Sequence, residues 1–252
     1  MILVDKTNVI VGTQSFLSSF LMLETSNDEY LKGKVLLFNK PYGWTSFQIV
    51  KKVRNTLKKA LHKDIKVGHA GTLDPLAQGL MIICTGKATR LCEQIQQQEK
   101  EYIAEIKLGS STASYDLETP IQKKAKIDHI TKDLILETLL KFEGVQIQTP
   151  PIYSAVKIDG ARAYKYARKG IEIPINSKEI NIYGIGLLEY ESPYIKIAVK
   201  CSKGTYIRSL ARDIGVALDT EAHLTKLYRV AIGEYKLIDA FEIQYFQKNI
   251  TF

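Results

Sequence analysis

Residues 66–79 read KVGHAGTLDPLAQG and carry one carboxylate, Asp74, in a stretch that cannot be helical. Gly71 and Pro75 punctuate the backbone on either side of it, as a shaped loop requires. An apolar run, Leu80, Met81, Ile82, Ile83 and Cys84, follows at once and reads as a buried strand. A lone acid held on such a loop, beside such a strand, can serve as a nucleophile or as a base. The alternative is an aspartate that only bonds its own turn.

Several other chemistries lack their residues. TGKAT at 85–89 would need Gly at 81 and Ser or Thr at 88 to be a phosphate loop, and Met81 and Ala88 stand there. No GxGxxG follows a strand, and no GxSxG elbow exists. The three cysteines (Cys84, Cys92, Cys201) have no CxxC spacing, and the four histidines (His62, His69, His129, His223) form no ligand pair, so no metal is expected.

The 252 residues are 45% hydrophobic and 25% charged, an ordinary globular composition, and the net charge of +8 favours an anionic partner, nucleic acid before a membrane surface. Val9 to Leu23 is too short and too polar to span a bilayer and makes a poor secretory signal. Residues 1–31 are read as an N-terminal arm, disordered or a mis-assigned start with Met22 as an internal alternative, and 32–252 as one catalytic domain.

The elements that must position Asp74 follow from periodicity. KVLLF (34–38) reads as a buried strand closed by the turn cluster Asn39-Lys40-Pro41-Tyr42-Gly43. Thr45 and Gln48 form a capping box for a helix with Phe47, Ile49, Val50, Val53 and Leu57 at helical spacing. Its other face carries Lys51, Lys52, Arg54, Lys58, Lys59 and Lys63, a solvated surface or a phosphate contact. Helices are expected over Ala88–Gln98, His129–Phe142, the basic 161–170 segment and Thr205–Leu218. Strands are expected at 102–109, 180–190, 194–201 and 227–235. The mixture without regular βαβ alternation predicts an α+β fold with a mixed or antiparallel sheet.

Five ordered blocks resemble the tRNA pseudouridine synthase B family: VLLFNKPYGWTS, KVGHAGTLDPLAQGLMIICTGKATR, EKEYIAEIKLG, PPIYSAVKIDGARAYKYARKG and CSKGTYIRSLARDIG. The resemblance spans about residues 34–240. It implies the pseudouridine synthase catalytic fold, a central mixed or antiparallel sheet flanked by helices. It also implies isomerisation of uridine to pseudouridine at position 55 in the T-loop of tRNA, without a cofactor. Such an enzyme would be cytoplasmic and monomeric, with tRNA as partner, no membrane and no required protein partner. The alternatives are a non-catalytic tRNA-binding or tRNA-folding module and a synthase acting on another RNA.

By the same resemblance Asp74 starts the chemistry as nucleophile at C1′ or as base at the sugar. Burial works against its charge, which a neighbouring cation would support. Arg208, in GTYIRS, resembles the arginine that pairs with it; a cation near the start of a helix is otherwise disfavoured. Tyr102, in KEYIAE, resembles the active-site tyrosine, which can stack on the detached uracil and help remove the C5 proton. Tyr206 resembles another pocket-lining ring, with core packing as its alternative. His69, in GHAG, resembles the histidine inserted into the T-loop as the target base flips out. Lys40 with Pro41 resembles a basic turn that shapes the catalytic loop or touches phosphate. Where many relatives have T-D-T-x-D, this chain has Thr112-Ala113-Ser114-Tyr115-Asp116; Asp116 is the retained acid, able to bind the flipped nucleotides, and Ala113 replaces the earlier one. The C-terminal RNA-binding domain common in relatives is not expected after Phe252, which points to a stand-alone bacterial type. Affinity would then rest on the basic helix and on Lys157, Arg162, Lys165, Arg168 and Lys169.

Overall fold

The structure, a computed structural model, describes residues 27–250 apart from positions 155, 159, 168 and 172. In chain order the first elements are α1 (Asn27–Lys32), β1 (Val35–Lys40), α2 (Ser46–Leu61), β2 (Val67–His69), β3 (Gln78–Thr85), a 3-10 turn (Gly86–Leu91), α3 (Cys92–Gln97) and β4 (Lys100–Leu108). Next come β5 (Ser110–Thr112), β6 (Ile121–Lys124), α4 (Lys132–Leu140), β7 (Gly144–Gln148), β8 (Lys157–Ile158), β9 (Ala161–Arg162), α5 (Ala163–Ala167), β10 (Lys178–Glu191) and β11 (Tyr194–Cys201). The last are α6 (Ile207–Ala217), β12 (Ala222–Ile232), β13 (Tyr235–Lys236), a second 3-10 turn (Leu237–Asp239), β14 (Phe241–Glu242) and α7 (Ile243–Asn249). The fold is α+β, and its residues gather into two compact units: the chain up to Tyr102 with Tyr228 onward, and Ile103–Leu227.

In the first unit β3 is an inner strand, antiparallel to β1 and β2 and parallel to β12 through Tyr228↔Gln78 and Arg229↔Gly79. One face of β1 and β3 (Leu36, Phe38, Met81, Ile83) packs against Ile49, Val53 and Leu57 of α2 and Ile243 and Phe246 of α7. The other face of β3 (Leu80, Ile82, Cys84) packs with Ile95 and Ile232. Burial on both faces is why Leu80–Cys84 is apolar without alternation. Each aliphatic side chain that α2 buries contributes about 1.5–3 kcal/mol, so its apolar stripe, more than helix propensity, holds it in place. The capping box forms as the sequence predicts: Gln48 N–H donates to Thr45 Oγ1 at 3.1 Å and Thr45 N–H to Gln48 Oε1 at 2.7 Å.

Of the expected arm, residues 1–26 lie outside the described residues. Asn27–Lys32 forms α1, whose Tyr30 is fully buried in the core of the first unit and accepts a bond from Thr85 Oγ1 on its carbonyl at 2.9 Å. Residues 27–31 of that expected arm thus belong to a helix of the first unit. Among the described residues no helix is long and apolar enough to cross a membrane.

The second unit is built on the neighbouring strands β4, β11, β10 and β7, with β10 antiparallel to both β11 and β7. Two small hairpins, β5–β6 and β8–β9, lie outside that sheet. The segment expected to be helical over 161–170 instead starts as strand β9, because Lys157↔Arg162 and Ile158↔Ala161 pair, and only Ala163–Ala167 is helical.

Candidate active site

Two fully buried cations decide where the Asp74 loop sits in the first unit. The alternation of β1 puts Lys40 in the same inward register as Leu36 and Phe38. Its ammonium is therefore inside the protein, where it donates to the carbonyls of Trp44 at 2.6 Å, Pro41 at 3.0 Å and Pro75 at 3.2 Å. Three donors meet three acceptors, which is what a buried ammonium requires. Burial pulls the Lys40 pKa down to about 8; the Asp74 carboxylate works in the opposite direction, and the Arg229 guanidinium adds a smaller lowering. These bonds tie the Lys40 ammonium to its own turn and to the backbone of the Asp74 loop at Pro75.

Arg229 is the second cation, and sequence reasoning passed over it as part of a terminal strand. Its Nε donates to Leu80 O at 2.8 Å, Nη1 to Thr72 O at 3.2 Å and Nη2 to Gly71 O at 3.2 Å. The strand reaches this close because its partner is Gly79, with φ +101°; a Cβ there would stand 2.4 Å from the Arg229 carbonyl oxygen. A third hold comes from Ser46 at the start of α2, whose hydroxyl accepts from Leu73 N–H at 2.8 Å and donates to Leu73 O at 2.9 Å. Gly43 N–H donates to Pro75 O at 2.9 Å, and Ala77 N–H closes a turn on Asp74 O at 3.1 Å. The main chain is thus gripped at Gly71, Thr72, Leu73 and Pro75, and the half-buried Asp74 side chain is what the loop presents.

His69 ends β2 on the approach to the same loop. Burial, and then the Arg229 charge, hold its imidazole below the usual histidine range, with a backbone contact to Gly71 opposing them. Both effects favour the uncharged form of the ring. Tyr102 lies in the buried register of β4. Two residues earlier, Lys100 Nζ donates to Gln96 O at 2.5 Å and Gln98 O at 2.6 Å, fixing the strand's entry.

In the second unit the structure joins two residues that the sequence treated separately. Arg208 and Asp116 are both buried, with Nε 3.7 Å from Oδ2. Arg208 Nη1 also donates to Tyr153 O at 2.9 Å and Ser114 O at 3.3 Å. Asp116 Oδ1 accepts from Glu118 N–H at 2.9 Å, and its carbonyl accepts from Thr112 Oγ1 at 2.6 Å. Tyr115 between them has φ +61°, an unusual conformation for an aromatic residue. Arg212, one turn after Arg208, holds it by lying 4.8 Å over its ring and donating to its hydroxyl at 3.1 Å.

Tyr206 precedes α6 and is fixed by Gln148, which donates to its carbonyl at 3.1 Å and accepts from its N–H at 2.8 Å. The Lys178 ammonium sits 4.8 Å from its ring centroid, and burial pulls that lysine's pKa down. Arg162, Lys165 and Lys169 are exposed, whereas the side chains of Lys157 and Arg168 lie outside the described residues.

Comparison with known proteins agrees with the sequence blocks. The family model described as TruB family pseudouridylate synthase (N terminal domain) matches residues 58–207. A protein of Bacteroides thetaiotaomicron named tRNA pseudouridine synthase B is 50% identical over 226 residues, covering 88% of this chain and 94% of its own. Proteins of the same name from Bacteroides fragilis and Flavobacterium johnsoniae are 54% and 47% identical, over 82% and 88% of this chain and 90% and 98% of theirs. Among solved structures, a chain of a Cbf5–Nop10–Gar1 complex superposes with a TM-score of 0.65 at 28% identity, over 97% of this chain and 65% of that one. A chain of an H/ACA RNP bound to a substrate RNA containing 2′-deoxyuridine gives 0.63 at 26% identity, over 88% and 54%. This chain therefore spans between about half and two thirds of those solved chains. With the family model covering more than half of its length and relatives near 50% identity covering most of it, the chain belongs to the TruB family of pseudouridylate synthases.

Proposed function

We propose that this chain isomerises uridine to pseudouridine at position 55 in the T-loop of tRNA, acting in the cytoplasm as a monomer, with no protein partner or cofactor. The observation that carries the reading is the half-buried Asp74 on a loop whose backbone is gripped by Lys40, Arg229 and Ser46. Relatives named tRNA pseudouridine synthase B, aligned over nearly their whole length, support the choice of RNA.

In the reaction the N1–C1′ bond breaks, the uracil turns in place and C5 bonds to C1′; C5 loses its proton and N1 gains one. Asp74 acts as nucleophile at C1′ or as base at the sugar. By the resemblance Arg208 is the cation assigned to act with Asp74. Tyr102 stacks on the detached base and assists proton removal at C5. His69, neutral, enters the space that the flipped base leaves, Tyr206 and Asp116 receive the flipped nucleotides, and Lys40 holds the catalytic loop.

The test is incubation of purified protein with an unmodified tRNA transcript, followed by mapping of pseudouridine with a modification-sensitive readout. Pseudouridine at the T-loop uridine, absent with Asp74→Asn, is the expected result; a transcript left wholly unmodified by wild-type protein rejects the reading.

A further inference from the structure

Helix α2 and the turn after it carry six cations from Lys51 to Lys63 against one acid, Asp64. Lys58 is 2.7 Å from that acid, and Arg54 turns back toward Val67 O at 3.5 Å. Lys51, Lys52, Lys59 and Lys63 are exposed and have no ion-pair partner among the described residues. Like charges one helical turn apart, as at Arg54 and Lys58, oppose helix formation, and the four exposed lysines add no ion pair to offset that among the described residues. The opposite face, Ile49, Val50, Val53 and Leu57, is buried in the core, so the helix has no apolar side to offer a bilayer.

Position gives the face a direction. Its first residue, Ser46, grips Leu73, and Gly43 just before it bonds Pro75, so the helix starts at the Asp74 loop. Two large aromatic side chains stand open at that end, Tyr42 at 54% and Phe47 at 65% exposure. Beyond Phe47, at 1.5 Å of rise per residue, the pairs Lys51/Lys52 and Lys58/Lys59 are about 10 Å apart along the axis. Aromatic surface followed by two pairs of ammonium groups along one helix matches bases and then a sugar–phosphate chain.

We infer that the exposed face of α2 tracks the phosphate backbone of the RNA leading away from the target uridine, with Phe47 and Tyr42 stacking on nucleotides beside the Asp74 loop. This surface deepens the proposed function and rests on it.

The test combines Lys51→Gln, Lys52→Gln, Lys59→Gln and Lys63→Gln in one full-length variant. Binding of an unmodified tRNA transcript is measured across salt concentrations, alongside KM and kcat. The slope of log affinity against log salt becomes shallower by about 3, from 0.7–0.9 per lost phosphate contact. KM rises about tenfold or more near physiological salt, while kcat at saturating tRNA and the circular dichroism spectrum stay as in wild type. Phe47→Ala weakens binding about fivefold or more and leaves the salt slope unchanged.

An unchanged slope and KM in the lysine variant overturns the inference, as does loss of binding to phosphatidylserine-containing vesicles with tRNA binding intact. Unchanged affinity in Phe47→Ala removes the stacking contact. Wild-type protein that binds tRNA with a steep salt slope yet forms no pseudouridine rejects the reaction and leaves the surface standing.

Discussion

The Lys40 ammonium donates to the carbonyl oxygen of Pro75, the residue after Asp74, across a 35-residue separation in sequence. One charged group on a core strand thereby fixes the backbone next to the Asp74 carboxylate. Misplacing a catalytic group by about 1 Å can cost about 10²-fold in rate, so under the proposed function the bond bears on chemistry as well as on stability.

Activity should fall on the alkaline side near pH 8. Burial has brought Lys40 from 10.5 to about 8; above that value it loses its charge near Asp74 and one of its three donors. In the stability of the fold the sign is opposite. The folded protein gives up this proton at about 8 and the unfolded chain at 10.5, so the cost of burying the ammonium is complete below about 8 and is relieved as pH rises through that window. A kcat/KM profile flat from pH 7 to 9.5 contradicts the first expectation. For the second, the stability of wild type relative to Lys40→Met, from urea unfolding, should increase between pH 8 and 10.

Asp74→Asn should abolish pseudouridine formation while tRNA affinity changes by less than about threefold, since the amide is isosteric and a half-buried side chain adds little to binding. Undiminished turnover by the purified variant would show that another group starts the reaction.

Arg229→Met removes three charge-assisted bonds to Leu80, Thr72 and Gly71. Each such bond is worth about 1.5–3 kcal/mol, partly recovered by packing, so a loss of at least about 3 kcal/mol is expected in urea unfolding. Gly79→Ala should do comparable harm from the other strand, because its Cβ meets the Arg229 backbone. Wild-type stability in both variants would mean that the loop does not depend on this contact.

Arg208→Ala leaves the Asp116 carboxylate buried beside an empty site and two carbonyls without their donor. Breaking a buried pair from one side costs about 3–5 kcal/mol. Asp116→Asn in the Arg208→Ala background should return part of that stability without returning activity. Recovery of turnover in the double variant would argue against a role for Arg208 in the chemistry.

Local signals were readable in the chain, and long-range ones were not. The Thr45–Gln48 box lies within four residues and forms as expected; β11 falls on 194–201, where clean alternation allows one register only. The helix expected over Ala88–Gln98 divides into a 3-10 turn and α3, and the strand expected at 227–235 starts at Ala222 and breaks at Gly233, with φ +52°. Short pieces such as β2, the β5–β6 hairpin and α7 carry too few residues for a period to register.

Arg229 escaped notice because its acceptors lie 149–158 residues away. The one available signal was a cation in the inward register of an apolar strand, where solvent cannot stabilise it. The Arg208–Asp116 pair was missed for the same reason: each residue has a plausible role alone, and only tertiary structure makes them neighbours.

Gripping the Asp74 loop by its peptide groups has a consequence for its tolerance of mutation. The anchors at Gly71, Thr72, Leu73 and Pro75 are carbonyl and amide atoms that every residue type except proline supplies in full. The side chains of Thr72, exposed, and Leu76, partly exposed, take no part in those anchors and can be exchanged by design while the carboxylate keeps its aim. Variation at those two positions offers a way to retune what the loop touches without dismantling how it is held.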